Sequence, residues 1–85
     1  MKVQTTRPFD RDYAGLPDAV KTKVDKQLAL LLFDPRHLSL RLKEMRGTED
    51  IWEARVSRGY RMTLNIAGDT IILRRVGTHD VLRGG

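Results

Sequence analysis

The chain has 85 residues and carries 16 Lys and Arg against 11 Asp and Glu, a formal net charge of +5 that favours an anionic partner, either a nucleic acid or an acidic protein. A chain of this length predicts one domain, 1–85, and the lack of cysteine excludes disulfides, thiolate metal sites and a thiol nucleophile. No apolar run is long enough to span a membrane and the first residues have no signal-peptide core, so we expect a cytoplasmic protein.

The N-terminal part is predicted to form one short strand and two helices. Val3 to Thr6 alternates and is rich in β-branched residues, which indicates a strand. Asp10 suits the N-cap of a short helix that runs to Ala14 and ends at Gly15. Pro17 begins the main helix, and Asp34-Pro35 ends it because the residue before a proline avoids the helical region.

The main helix has an apolar stripe at the helical period, which predicts the face that packs on a sheet. The stripe comprises Val20, Val24, Leu28, Leu31 and Leu32. The residues that lie away from it are Lys21, Lys23, Asp25, Lys26 and Gln27, and they are expected to face solvent. The next segment, from Pro35 to Asp50, is irregular and predicts a loop with one or two apolar anchors and a surface histidine, His37.

The segment from Ile51 to Asp80 predicts three consecutive strands joined by two tight turns. A three-residue first turn, Ser57-Arg58-Gly59, sets Arg55 opposite Arg61 and keeps the apolar residues on one face. It also sets Glu53 opposite Thr63 and Trp52 opposite Leu64. A two-residue turn would shift the register by one and move charge to the apolar face. Gly59 is then expected to take the left-handed conformation.

The second turn is predicted at Gly68-Asp69, with Ile71 opposite Ile66 and Leu73 opposite Leu64. This register places Arg74 opposite Thr63. The polar face of the sheet then carries Glu53, Arg55, Arg61 and Arg74. Arg75 falls on the apolar side, where its stem can pack on the core while its head reaches water. Trp52 and Tyr60 are expected to be core residues.

Arginine is concentrated in the second half of the chain. The seven arginines there are Arg46, Arg55, Arg58, Arg61, Arg74, Arg75 and Arg83. Because the guanidinium group makes forked contacts to phosphate, this distribution favours a nucleic-acid partner. Two histidines, no cysteine and scattered carboxylates do not match a metal-ligand spacing, so no metal or other cofactor is predicted.

An ordered set of short motifs covers nearly the whole chain. In chain order these are Leu16-Pro17, Asp34-Pro35, Leu42 to Gly47, Trp52 to Val56, Gly59 to Met62 and Val76 to Asp80. The set resembles the RelE/ParE toxin superfamily of type II toxin–antitoxin systems, and in particular its RelE-like mRNA interferase branch. Where some relatives have strand lysines this chain has Glu53 and Arg55, and the tyrosine that many relatives have near the C-terminus is absent.

The resemblance implies an α+β fold, a small antiparallel sheet in the order β-α-α-β-β-β with the two N-terminal helices packed on one face. It implies a metal-free endoribonuclease that cleaves mRNA on the translating ribosome, inhibits translation and is blocked by a cognate antitoxin with an acidic segment. It places Arg61 at the arginine of the family's penultimate strand and Arg55 at the basic residue of the strand before. His79 falls at the family's His-or-Arg position after the last strand.

The chemistry of RNA cleavage suggests roles for these side chains. The hypothesis assigns Glu53 as the base, Arg55 and Arg61 as the phosphate ligands, and His79 as the acid. The residues expected to bind flanking phosphates are Lys43, Arg46, Arg58, Arg74 and Arg75. An equally simple interpretation of Glu53 is an ion pair with Arg55 or Arg61 across the strands.

Two other functions stay open from the sequence. The first is inhibition of DNA gyrase, as in the ParE branch, which needs binding but no nuclease. The second is a degenerate relative that retains only antitoxin or RNA binding, a possibility that the missing terminal tyrosine raises.

Overall fold

The computed structural model describes residues 1–45, 47 and 50–84 of the protein. Its elements are β1 (Lys2–Thr5), α1 (Arg7–Ala14), α2 (Asp18–Phe33), a 3₁₀ turn (Leu38–Leu40), β2 (Lys43–Glu44), β3 (Ile51–Ser57), β4 (Tyr60–Ala67), β5 (Thr70–Thr78) and α3 (His79–Gly84). The predicted α+β class is confirmed. The short elements β2 and α3 add to the predicted order, and none of the helices within the described ranges has the length and apolar character needed to cross a membrane.

The five strands form one sheet in the order β1-β5-β4-β3-β2. β1 lies parallel to β5, and all other neighbours are antiparallel, so the sheet is mixed. The buried core contains Phe9, Val24, Leu31, Leu40, Ala54, Val56, Met62, Leu64, Ile71, Leu73 and Val76. Because α1, α2 and alternate residues of β3, β4 and β5 share this core, both helices pack on one face, and the remaining strand residues form the polar face.

The register of β3 and β4 is confirmed. Arg55 pairs with Arg61, Glu53 with Thr63 and Trp52 with Leu64. The predicted three-residue turn is wrong, because Ser57 belongs to β3 and pairs with Tyr60, which leaves Arg58-Gly59 as the turn. A bulge between Arg55 and Ser57 holds the extra residue and keeps the predicted register. The prediction of a left-handed Gly59 is wrong, since the positive-φ glycines are Gly47 and Gly68. The bulge absorbs the extra residue, so the turn does not require that conformation.

The pairing of β4 with β5 is confirmed for its first half only. Ile66 pairs with Ile71 and Leu64 with Leu73, but a second bulge follows, and Thr63 pairs with Arg75 rather than with Arg74. Because the bulge shifts the register by one residue, Arg74 and Arg75 lie in different surroundings.

Arg75 does not extend into water as predicted, because it is bound by α1. Its Nε donates to Asp12 Oδ2 at 2.6 Å, and the hydrogen bond raises the pKa of Arg75. The same carboxylate oxygen accepts the backbone N–H of Val76 at 3.2 Å. β1 pairs with β5 only from Thr70 to Leu73. Beyond that point, Asp12 accepts a backbone N–H at the edge of β5.

The helix boundaries differ from the prediction at α1 and agree at α2. Thr6 is the N-cap of α1 and accepts the Phe9 backbone N–H at 3.3 Å, so it does not end the strand, and Asp10 lies in the first turn. Threonine is a strong capping residue, and a proline at the next positions is compatible with the first turn. Three predicted boundaries are confirmed. α1 ends at Gly15, and α2 begins at Pro17, its N-cap, and ends at Asp34, its C-cap.

The segment after α2 is mostly irregular, as predicted, and Leu40 is its buried anchor. His37 is a surface residue whose Nδ1 accepts the backbone N–H of Ser39 at 3.2 Å. The chain is helical from His79 to Gly84, an element that was not predicted.

Candidate active site

The polar face of the sheet contains a cleft of about 430 Å³. Its lining residues are Arg41, Lys43, Glu53, Arg55, Arg61 and His79. The structure therefore brings together Glu53, Arg55, Arg61 and His79, the four side chains of the catalytic hypothesis, and it adds two cations. Four permanent cations surround one carboxylate and one imidazole, an excess of positive charge that suits an anionic ligand.

Two local features of the fold create this arrangement. The register of β3 and β4 sets Arg55 directly opposite Arg61, although like charges at such a position destabilise a sheet. Gly77, which pairs with Arg61, lets α3 approach the sheet closely, because a Cβ there would lie 3.3 Å from Val81 Cγ1. This close approach follows from the missing side chain, and His79, the first residue of α3, lines the cleft.

The guanidinium group of Arg61 is held from two sides. Its Nη1 donates to the backbone oxygens of Ser57 at 2.8 Å and Tyr60 at 3.0 Å, at the β3–β4 turn. Its Nε lies 3.7 Å from Glu53 Oε1, and the two side chains are only 25% and 15% exposed. Arg61 is thus a fixed positive charge, which is the arrangement that stabilises a developing anion most effectively.

Arg55 is a cation of the cleft that no carboxylate neutralises within the described residues. Partial loss of solvent and repulsion from Arg41, Arg61 and Arg58 lower the pKa of Arg55. Within the described ranges its side chain has no hydrogen bond or ion pair. A phosphate placed against Arg55 would relieve this repulsion, so the electrostatics of the cleft favour binding of an anion.

His79 is the first residue of α3 and is exposed. In the part of the chain that the structure describes, its ring makes no hydrogen bond. Both ring nitrogens are therefore available to a ligand in the cleft, as an acid or base requires.

The structure separates the residues that were expected to bind flanking phosphates. Lys43 lines the cleft, while Arg58 lies in a neighbouring groove. Arg74 donates to Asn65 Oδ1 at 2.9 Å, and Arg75 is paired with Asp12, so both are turned to other partners and neither lines the cleft. Arg46 lies outside the described residues.

Sequence reasoning missed Arg41 as a cleft residue. It follows the 3₁₀ turn in the left-handed conformation, with φ of 44°. The signal for it was the alternation of Leu40 and Leu42 with Arg41 and Lys43, because Leu40 is buried and the two cations are exposed.

Gln27 was predicted to face solvent and is instead buried, with 6% of its surface exposed. Its Nε2 donates to the backbone oxygen of Arg55 at 3.0 Å and to that of Ser39 at 3.4 Å. These bonds connect α2 to the bulge of β3 and to the 3₁₀ turn that precedes Arg41. Gln27 therefore positions two cations of the cleft from behind.

Replacing Gln27 with leucine is expected to lower the free energy of unfolding by about 1–3 kcal/mol, because two carbonyl oxygens lose a buried donor. Urea denaturation measures this change. Gln4→Leu, at an exposed position of β1, is the matched control and is expected to change it by less than about 0.5 kcal/mol. Equal effects of the two substitutions would contradict the positioning role.

Comparison with known proteins gives matches in structure alone. No protein-family model matches the sequence, and no curated protein matches it significantly. YafQ from E. coli strain BL21(DE3) superposes with a TM-score of 0.81 at 15% identity, over 95% of this chain and 96% of YafQ. The YoeB/ParE toxin from Agrobacterium tumefaciens gives 0.80 at 18% identity, over 93% and 99%.

A third match is a chain of the RelB-RelE antitoxin-toxin complex from Methanococcus jannaschii. It has a TM-score of 0.74 at 22% identity and covers 95% of both chains. At these identities the similarity establishes the three-dimensional arrangement, and the coverage extends over nearly the full length of each protein. The protein therefore has the fold of the RelE/ParE toxins.

Proposed function

We propose that this protein is the toxin of a type II toxin–antitoxin system and that it is an endoribonuclease acting on mRNA in the translating ribosome. The observation that carries the proposal is the cleft itself. It holds one carboxylate and one free imidazole among four permanent cations, which are the groups that RNA cleavage by side chains alone requires. The fold that it shares with YafQ and RelE supports the same conclusion.

In the proposed reaction, the 2′-oxygen of a nucleotide attacks the adjacent phosphorus and the bond from phosphorus to the 5′-oxygen breaks. The Glu53 carboxylate takes the proton of the 2′-hydroxyl, and protonated His79 gives a proton to the departing 5′-oxygen. The products are a 2′,3′-cyclic phosphate and a free 5′-hydroxyl. Arg55 and Arg61 stabilise the additional negative charge on the phosphate during the transfer.

The contact between Arg61 and Glu53 gives Glu53 two roles. At 3.7 Å the pair is longer than a hydrogen bond, so it orients the carboxylate without occupying its lone pairs tightly. We propose that Glu53 positions Arg61 in the free protein and accepts the proton when RNA is bound.

We propose that the ribosome positions the message. The cleft is open to solvent, Lys43 and His79 are exposed, and neither Trp52 nor Tyr60, which pack against the core, is among the described residues that line the cleft. The site therefore supplies charge and proton transfer but does not orient a base, and a message oriented by another particle would overcome this deficit.

We propose that a cognate antitoxin with an acidic segment blocks the protein. The matched chain from Methanococcus jannaschii belongs to an antitoxin-toxin complex. A net charge of +5 and a cleft with four cations favour an acidic partner at or near the cleft.

One experiment separates this function from gyrase inhibition and from binding alone. The protein is expressed from a tightly controlled promoter, and incorporation of labelled methionine is followed beside the supercoiling of a reporter plasmid. The proposal predicts a rapid loss of methionine incorporation with unchanged supercoiling. Relaxed plasmid DNA with continuing translation would favour a gyrase inhibitor, and no effect on either would favour a binding role.

A further inference from the structure

A second concave surface adjoins the cleft, between α2, the 3₁₀ turn and the β3–β4 turn. We call it the basic groove, and it has a volume of about 550 Å³. Its charged residues are Lys23, Lys26, Arg41, Arg55 and Arg58. None of the described residues that line it is acidic. Surface charges of both signs are normally interspersed, so five cations without a carboxylate among these residues favour an anionic ligand.

The basic groove adjoins the cleft. Arg41 and Arg55 line both surfaces, so a ligand that contacts these two arginines in the cleft is next to the groove. Lys23 and Lys26 of α2 and Arg58 of the β3–β4 turn line the groove but not the cleft. The repulsion that lowers the pKa of Arg55 comes from residues of both surfaces, Arg61 and Arg58.

We infer that the basic groove binds the sugar-phosphate backbone of RNA next to the phosphate held in the cleft, with contacts that do not depend on sequence. The inference rests on the proposed function, since it gives the substrate of the cleft a path across the protein. None of the described lining residues is aromatic, so they offer no stacking surface for bases, and the strand is recognised by its charge. Among the described lining residues, the aliphatic side chains are Leu38 and Val56. Two such side chains give an acidic peptide few apolar anchors.

Salt dependence measures such contacts directly. Each phosphate contact to a single strand changes the slope of log K against log salt by about 0.7. Removing the charges of Lys23 and Lys26 is therefore expected to reduce the magnitude of the slope by about 1.4, because two contacts are lost. The side chains are exposed on α2, so their replacement leaves the core unchanged.

The experiment uses the full chain and a fluorescent 12-nucleotide RNA with 2′-O-methyl groups, which cannot be cleaved, without ribosomes. Fluorescence anisotropy gives the dissociation constant over a range of NaCl concentrations. Lys23→Gln/Lys26→Gln is compared with Lys2→Gln/Arg11→Gln, which removes the same net charge at exposed positions outside the groove. The inference predicts the smaller slope for the first pair and the wild-type slope for the second.

An unchanged slope for the groove variant, or an equal reduction for both pairs, would overturn the inference. A polyglutamate peptide serves as the competing probe. If the groove variant lost binding to this peptide while its RNA slope stayed at the wild-type value, the groove would be a surface for an acidic protein instead. These readouts need no cleavage, so the two proposals can fail separately. A protein that does not cut messages but shows the predicted slopes would disprove the proposed function, while RNA binding by the groove would still be supported.

Discussion

Replacing Arg61 with alanine is expected to lower the single-turnover rate of message cleavage by about 10²–10³-fold. The guanidinium group is held by Ser57 and Tyr60 and stands beside Glu53, so its loss removes a fixed charge at the phosphate and releases the proposed base. The rate is measured on purified ribosomes that carry a defined message, with an excess of the protein.

Arg74→Ala is the matched control for this measurement. Arg74 is an exposed arginine of β5 that donates to Asn65 and does not line the cleft. The substitution Arg74→Ala removes the same charge from the same sheet, and the cleavage rate of this variant is expected to stay within about twofold of the wild-type rate. Circular dichroism and urea denaturation check that both variants are folded. A folded Arg61→Ala protein that cleaves at the wild-type rate would show that the chemistry lies elsewhere.

Replacing Leu31 with alanine is expected to lower the free energy of unfolding by about 2–5 kcal/mol. Leu31 is fully buried where α2 packs on the sheet, and the shortened side chain leaves a cavity between the two layers. A domain of this size has a total stability of about 4–13 kcal/mol, so the substitution removes a large share of it. Urea denaturation monitored by the fluorescence of Trp52 gives the value.

Leu32→Ala tests the specificity of this effect. Leu32 is the next residue on the same helix, has the same side chain and is 37% exposed. Its replacement is expected to cost less than about 1 kcal/mol. If the two substitutions had equal effects, the packing of α2 on the sheet would differ from the one described.

The elements that the sequence predicts best are those whose pattern repeats. Alternation over β3 and β4 is long enough to set Arg55 opposite Arg61, because a slip by one residue would bury charge along both strands. The stripe on α2 correctly contains Leu31, but it does not separate Leu31 from Leu32, since a stripe gives the side of a helix and not the depth of each residue.

The failures come from contacts between distant parts of the chain. Asp12 and Arg75 are 63 residues apart, and nothing local to either residue predicts the ion pair that holds Arg75 at α1. The bulge between Thr63 and Leu64 breaks a regular alternation by one residue, and alternation alone predicts no bulge. Gln27 has the same difficulty, because a polar side chain is buried only when a partner supplies acceptors, here Arg55 and Ser39.

The sequence predicts most of the residues of the candidate site but not how they are arranged. Glu53, Arg55 and Arg61 follow from the register, whereas His79 reaches the cleft as the first residue of α3, a helix that was not predicted. Arg41 enters through a left-handed residue in a segment without a regular pattern.

We propose that the cleft cuts mRNA during translation. The most direct test is a cell-free translation reaction with a defined message, in which new 5′ ends are mapped by primer extension for the wild-type protein and for His79→Ala. We predict cuts within the translated region for the wild-type protein, a strong reduction for His79→Ala, and no cuts when initiation is blocked. A message that stays intact while the wild-type protein is present and translation continues would contradict the claim.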